Sequence, residues 1–323
     1  MLTKVTLGNT DLQVSQFCYG TNMLGSALDQ GRSNEILDTF ASLGGNFLDT
    51  ARMYGDWIPD GPKGASERAI GGWLKSRSRD GLVISTKGGG MDLRAGDWAN
   101  RCNPAGVAQD LAESQEHLGI DSIDLYWLHA DNPEAPVEII VDALLEHQAA
   151  GTIRHFGASN WAPDRIRAAN THATSLGKSG FVASETFWGL AVPNVDVANM
   201  QGYVLYYEGL YEELHATGLP VLAYGAQSGG YFTKLASGGI DSVREDIRTR
   251  YDNPANAGRA RAVQQVAAKQ GVSINEVVLS YLASQPNQTI PIFGGSSPEQ
   301  VVESVKAAAL KLSAEELAQL RAG

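Results

Sequence analysis

Cysteine is nearly absent from this chain: of its 323 residues only Cys18 and Cys102 carry a thiol. Two cysteines cannot build a disulfide framework, and without a CxxC or a cysteine-histidine cluster there is no zinc signature, so no metal is expected. Cys18 sits in an apolar, strand-like run and is expected to pack rather than react. Basic residues are also in deficit, 25 Lys and Arg against 36 Asp and Glu, giving a formal net charge of -11. That balance argues against a general surface for nucleic acid or anionic membrane, while leaving room for a local basic pocket that holds phosphate. No apolar run approaches the ~18 residues needed to span a bilayer, and the opening MLTKVTLGNTDLQVS lacks the apolar centre of a signal peptide. A cytoplasmic location is the expectation. No low-complexity linker or fixed-period repeat divides the sequence, so residues 1–323 are expected to form one domain.

What is present is an alternation. VTLGNTDLQVS, with a Gly-Asn-Thr-Asp turn between short apolar segments, predicts an N-terminal hairpin. Short apolar runs then alternate with longer stretches at helical spacing. Phe17–Gly20 precedes a helix over Ser33–Leu43, and Asn46–Asp49 one over Ser66–Arg77, with Ser66 as its N-cap. Leu82–Lys87 leads to Pro104–Leu118, Ile123–His129 to Pro136–Ala150, and Ile153–Ser159 to Ala162–Leu176. Phe181–Thr186 leads to a helix over about 203–216. Pro220–Tyr224 is followed by a long loop and helices over Ala255–Lys269 and Ile274–Ser284. Thr289–Phe293 leads to Pro298–Ala309, and Ser313–Leu320 reads as an extra C-terminal helix. Eight such pairs predict an α/β fold, a parallel (β/α)8 TIM barrel, over an open sheet. The loops Gly88–Asn103 and Gly225–Pro254 are long enough to suggest function.

A barrel of this kind does its chemistry at the carboxyl ends of its strands. Those ends carry Asp49, Lys87, His129, Ser159-Asn160, Glu185 and Tyr224, with Tyr54 on the loop after Asp49. Any one of them alone is as readily a structural group; on successive strands they form a constellation. A phenol is a poor acid near neutrality, and a neighbouring ammonium would favour its phenolate. Lys87 is placed to be that ammonium, Asp49 to orient it, and His129 to bond an oxygen that gains charge. Such a group protonates a carbonyl oxygen. With no nucleophilic serine or reactive cysteine evident, the missing partner is a hydride donor. No GxGxxG follows the first strand, so a dinucleotide needs another route. GGSSPEQVVES, Gly294–Ser304, provides a glycine-serine loop entering a helix, whose backbone N–H groups suit phosphate.

NFLDTARMYG, GASERAIGGWL, VISTKGG, DSIDLYWLHADNP, GTIRHFGASN and GGSSPEQVVES, in this order and spacing, resemble the aldo-keto reductases over nearly the whole chain, in the branch of bacterial general reductases and potassium-channel β subunits. The resemblance implies a catalytic tetrad of Asp49, Tyr54, Lys87 and His129 with Tyr54 as general acid. It implies a nicotinamide across the barrel mouth, its carboxamide held at Ser159, Asn160 and Glu185 and its ring stacked on Tyr224. Gly20, Thr21 and Asn22 also fall to the cofactor. Gly225, Ala226, Gln227 and Gly230 would line the pyrophosphate, and Gly294, Ser296, Gln300 and Glu303 the adenosine-phosphate end. Three departures stand out: Glu185 where the family usually has glutamine, YGAQSGGYFTK in place of a serine-proline-leucine loop, and Ser304 where asparagine is usual. Lys234 and Arg250 are the candidates to supply positive charge. NADPH is the favoured cofactor, with NADH the alternative.

Trp57, Trp127, Trp161 and Trp188, with Asp56 and Asp131, fall near the expected mouth. Aromatic faces beside carboxylates suit polyhydroxylated ligands, so Trp57, Trp127 and Trp188 are candidate contacts for a sugar or sugar-derived carbonyl. The expected activity is NAD(P)H-dependent reduction of an aldehyde or ketone to an alcohol, with a small-molecule carbonyl or alcohol as partner and the oligomeric state open. Two other classes compete: a nucleotide-sensing subunit without turnover, and a barrel lyase forming a Schiff base on Lys87.

Overall fold

A computed structural model describes residues 1–93, 100–194 and 207–323. Strands β1 (Lys4–Thr6) and β2 (Gln13–Ser15) pair antiparallel as the expected hairpin. Eight further strands, β3 (Cys18–Gly20), β4 (Phe47–Asp49), β5 (Val83–Gly88), β6 (Ile123–Leu128), β7 (Ile153–Ser159), β8 (Ser184–Phe187), β9 (Val221–Tyr224) and β10 (Thr289–Phe293), close into one parallel barrel in that order. Closure leaves no sheet edge, and the strands are buried on both faces, so their sequences are near-continuous apolar runs.

The helices lie between the strands. Pro104–Leu118 begins at Asn103, whose side chain accepts from the Gly106 N–H, and stops at Gly119 in the left-handed conformation. Ile274–Ala283 and Ala314–Ala322 each open with a capping box, Ser273 with Glu276 and Ser313 with Glu316. The second helix, Ala65–Leu74, starts differently from the sequence expectation. Its cap is Gly64. Ser66 instead lies in a buried hydroxyl cluster, 2.8 Å from Thr21 Oγ1 and 2.9 Å from Thr50 Oγ1. Of the helix expected over about 203–216, residues 203–206 lie outside the described residues; Tyr211–His215 is a short helix. The stretch after β9, expected as a loop, carries two short helices, Tyr231–Gly238 and Glu245–Tyr251. Its glycines hid them: Gly229 and Gly230 break the chain just before Tyr231, whose side chain and that of Phe232 are buried.

The hairpin covers the amino-terminal end of the barrel. Gly8 N–H donates to Gln288 Oε1 at 2.9 Å, just before β10, and Arg154 of β7 pairs with Asp11 at 2.7 Å. Leu7, Leu12 and Val14 join Phe47, Leu125, Trp127, Leu222 and Ile290 in a closed apolar cluster. The opposite, carboxyl-terminal end is left for a site.

Candidate active site

Asp49 ends β4, and the chain runs on beside β5: Thr50 N–H donates to Ser85 O at 2.9 Å and Arg52 N–H to Lys87 O at 3.1 Å. It then turns back, with Tyr54 N–H donating to Ala51 O at 3.0 Å, which sets the phenol over the strand ends. There Lys87 Nζ meets four acceptors. It donates to Asp49 Oδ2 in a short contact and to Thr50 O at 2.9 Å. Tyr54 Oη and Glu185 Oε1 each stand 3.3 Å away. Asp49 Oδ1 accepts from Ser85 Oγ at 2.7 Å, which fixes the carboxylate. The His129 ring lies 6.0 Å from that of Tyr54, centroid to centroid. The four residues expected to act together are therefore brought together.

Their electrostatics differ from the simplest expectation in one respect. Burial raises the Tyr54 phenol above its ordinary value; Lys87 pulls it down, and Asp49 and Glu185 push it up. The ammonium alone does not make Tyr54 acidic, because desolvation of the phenolate outweighs it. Lys87 is drawn down by burial, but Asp49, Glu185 and Tyr54 together hold it well above the ordinary lysine value, so it stays an ammonium. Burial, with Lys87 and Arg52 adding to it, holds His129 down to about 3, so the imidazole is neutral. Burial and then the charge of Asp49 push Glu185 up to about 8.

Ser159, Asn160 and Tyr224 are stitched to this group. Asn160, in the left-handed region at φ 60°, donates its N–H to Glu185 O at 3.0 Å. Its side chain donates to His129 O at 3.1 Å and Ser159 Oγ at 3.1 Å, and accepts from Tyr224 Oη at 2.7 Å. In front of them lies a cavity of about 680 Å³. It is lined by Gly20, Thr21, Asn22, Asp49 and Tyr54, by Tyr224, Gly225, Ala226, Gln227, Gly230 and Lys234, and by Gly294, Ser296, Gln300 and Glu303. Gln227 ties the two loops, accepting from Gly294 N–H and donating to Asn275 Oδ1, each at 3.0 Å. Ser159, Asn160 and Glu185 are buried and do not line the cavity. Arg250 does not line it either; Arg244, not singled out in the sequence, does. The only signal for Arg244 was its place in the long stretch after β9.

The cavity's volume and its glycine-rich, polar lining suit a dinucleotide. Gly225, Gly229 and Gly230 line it and all have positive φ, a backbone conformation that favours glycine, and a Cβ on Gly225 would also fall 2.6 Å from the Phe187 ring packed behind it. Across from it, Ser297 caps the helix Pro298–Lys306, whose N-terminus is where an anion is stabilised.

Comparison with known proteins gives the same answer from the whole sequence: residues 16–322 match the aldo/keto reductase family. The chain belongs to that family. The family's enzymes are oxidoreductases that reduce carbonyls, generally with nicotinamide cofactors. Among the relatives, aldo-keto reductase ausK of Emericella nidulans is 28% identical over 96% of this chain and 78% of its own length. A probable voltage-gated potassium channel subunit beta of Oryza sativa subsp. japonica is 27% identical over 93% of this chain and 89% of its own. In fold, the chain is similar to the thermostable aldo-keto reductase Tm1743, solved with the inhibitor epalrestat, at a TM-score of 0.73, 24% identity and 99% coverage of both chains.

Around this aldo/keto reductase site the tryptophans do not fall as expected. Trp127 and Trp188 are fully buried, and Trp161 nearly so. Trp127 fills the barrel beside Gly157, where a Cβ would fall 2.2 Å from Trp127 Cζ3. Trp188 packs edge-on against Tyr211 and Tyr281 at 6.0 and 6.2 Å. Only Trp57 of the four is exposed, its ring 6.1 Å from that of Tyr54. The two acids read as hydroxyl acceptors are also engaged. Asp131 holds Arg165 through both oxygens at 2.9 Å. Asp56 accepts from Gly64 N–H at 3.0 Å and pairs with buried Arg52 at 3.6 Å. Arg52, missed in the sequence, also lies within 3.7 Å of Asp92, Asp110 and Glu113 and donates to Met91 O at 3.0 Å. It clamps the Tyr54 turn to the loop after β5. The carboxylates invoked for a sugar are thus already committed to arginine.

Proposed function

We propose that this protein reduces an aldehyde or ketone to the alcohol with NADPH, Tyr54 giving the proton to the carbonyl oxygen. The observation that carries this reading is the chain Asp49, Lys87, Tyr54 at the inner end of a dinucleotide-sized cleft. When bound, the nicotinamide supplies the hydride that the residues of this chain cannot. Asp49 and Thr50 O hold the Lys87 ammonium in place, and that ammonium stabilises the phenolate left after proton transfer. His129, neutral at working pH, can donate an N–H to the same carbonyl oxygen and limits where it sits. Tyr224, oriented by Asn160, presents an aromatic face at the cofactor side of Tyr54. Lys234 and Arg244 line the cavity and favour NADPH by offering cations to an extra phosphate, Lys234 directly and Arg244 in exchange for its present pairing with Asp246 at 2.6 and 3.0 Å. Trp57, exposed beside the phenol, offers a face for a carbonyl compound with an apolar flank.

Lys87 as a Schiff-base nucleophile finds no support, since its nitrogen is a buried, fully engaged ammonium. The likeness to a potassium channel subunit keeps a nucleotide-sensing role as the second reading. Both are tested together. Fluorescence titration with NADPH and NADH should give saturable binding with the phosphate form tighter, and a carbonyl panel should give turnover. Tyr54→Phe should lower kcat by about 10²- to 10⁴-fold, the range of general acid catalysis, while the Kd for NADPH stays within about twofold. Full turnover in the variant would refute the mechanism; tight binding without turnover in the wild type would favour sensing.

A further inference from the structure

A lysine ammonium has three N–H groups. In this site one goes to Asp49 Oδ2 and one to Thr50 O, leaving a single N–H between two acceptors at the same distance, Tyr54 Oη and Glu185 Oε1, each 3.3 Å from Nζ. Charge is also unbalanced. Lys87 and Glu185 are each 1% exposed and Asp49 2%, so two ionised carboxylates would share one ammonium away from water. Glu185 Oε2 has no hydrogen-bond partner among the described residues, and burial and then the Asp49 charge raise this carboxyl. One added proton on Glu185 resolves all three features: it removes the surplus charge, occupies the orphaned oxygen, and ends the competition for the third Lys87 N–H.

We propose that Glu185 is a positioning residue for Tyr54: protonated, it leaves the third N–H of Lys87 to the phenol, and ionised, it takes that N–H and withdraws the support. This rests on the reading of Tyr54 as the proton donor. No other group is expected to interfere in the neutral range. Among the described residues, the titratable groups facing Glu185 are Asp49 from β4, Tyr54 from the turn after it, Lys87 from β5, Tyr224 from β9 and Cys18 from β3, and His129 beside Tyr54 is held down to about 3. Lys87, Cys18 and both tyrosines are shifted upward, Lys87 by its carboxylates and the other three by burial. Glu185, pushed up to about 8, is the group that changes state there. An ionised Glu185 also raises the phenol further. Carbonyl reduction should therefore fail as pH rises through the Glu185 midpoint.

The test has two arms on the full-length protein. Infrared difference spectra of the cofactor-free protein, wild type against Glu185→Gln, should show a carboxylic-acid carbonyl band in the wild type at mildly acidic pH that disappears on raising pH. In Asp49→Asn the band should vanish at lower pH, since the charge that retains the proton is gone. In the second arm, wild-type kcat should fall about tenfold per pH unit above the same midpoint, as for loss of one essential proton, and Glu185→Gln should lose that limb. Absence of the band, its persistence in Glu185→Gln, or a limb retained in Glu185→Gln would each overturn the proposal. If no carbonyl is turned over by the wild type, the reductase reading fails by itself, and the band with its Asp49→Asn shift still decides where the proton lies.

Discussion

Tyr54 and His129 show how the same desolvation serves two different ends. For the phenol, burial opposes ionisation and Lys87 works against it, so Tyr54 keeps its proton, as the proposed proton donor to a carbonyl must. For the imidazole, burial and the neighbouring Lys87 and Arg52 cations keep the ring neutral. The price appears in stability. In the unfolded chain the ring binds a proton near pH 6.5; in the fold it does so only near pH 3. Between those values the unfolded state holds more protons, so the His129 contribution to stability is complete above the upper value and is lost as pH falls toward the lower. His129→Gln removes that dependence. Urea midpoints measured at about pH 7 and about pH 5 should drop more for the wild type than for the variant; parallel drops would mean that the ring is not held neutral.

At the scale of strands and turns, local signals were legible and reach across the barrel was not. Ile153–Ser159, Thr289–Phe293 and Pro104–Leu118 have the same bounds in sequence and structure, because an apolar run, a proline start and a glycine stop are local. The strand ends, and with them Asp49, Lys87 and His129, followed from those runs. Arg52 did not, because Asp92, Asp110 and Glu113 lie far along the chain from it. Nor did the burial of Trp127. A strand buried on both faces has no polar alternation to show which way a side chain points, and the space that Trp127 fills is made by Gly157, its register partner on β7. Gly157→Ala should destabilise by about 1–3 kcal/mol through overpacking. Adding Trp127→Leu should recover much of that loss, which a double-mutant cycle from urea unfolding would measure. If Trp127→Leu instead left stability unchanged and raised only the KM for a carbonyl, Trp127 would be a substrate contact after all.

Over the whole molecule, the hairpin and apolar cluster fill one end of the barrel and the cleft opens at the other, so a ligand's charge meets the protein's charge at that one mouth. The net charge of -11 would repel a dinucleotide phosphate at long range, while on the proposed reading Lys234 and Arg244, which line the cavity, would attract it at contact. The two effects respond differently to salt. Repulsion from charges spread over the molecule acts across tens of ångströms at low ionic strength, where the screening length is about 30 Å, and is largely lost at physiological salt, where it is about 8 Å. Contact with Lys234 and Arg244 acts at shorter range and is weakened by salt but not lost. Wild-type affinity for NADPH should therefore change little between these conditions, with the lost repulsion offsetting the weakened attraction. In Lys234→Met/Arg244→Met the attraction is absent, so affinity should be lower at both salts yet rise as salt is added. Fluorescence titration at the two ionic strengths separates the cases: affinity that falls with salt in the double variant would show that other cations hold the phosphate, and would move the cofactor's phosphate end away from the loop after β9.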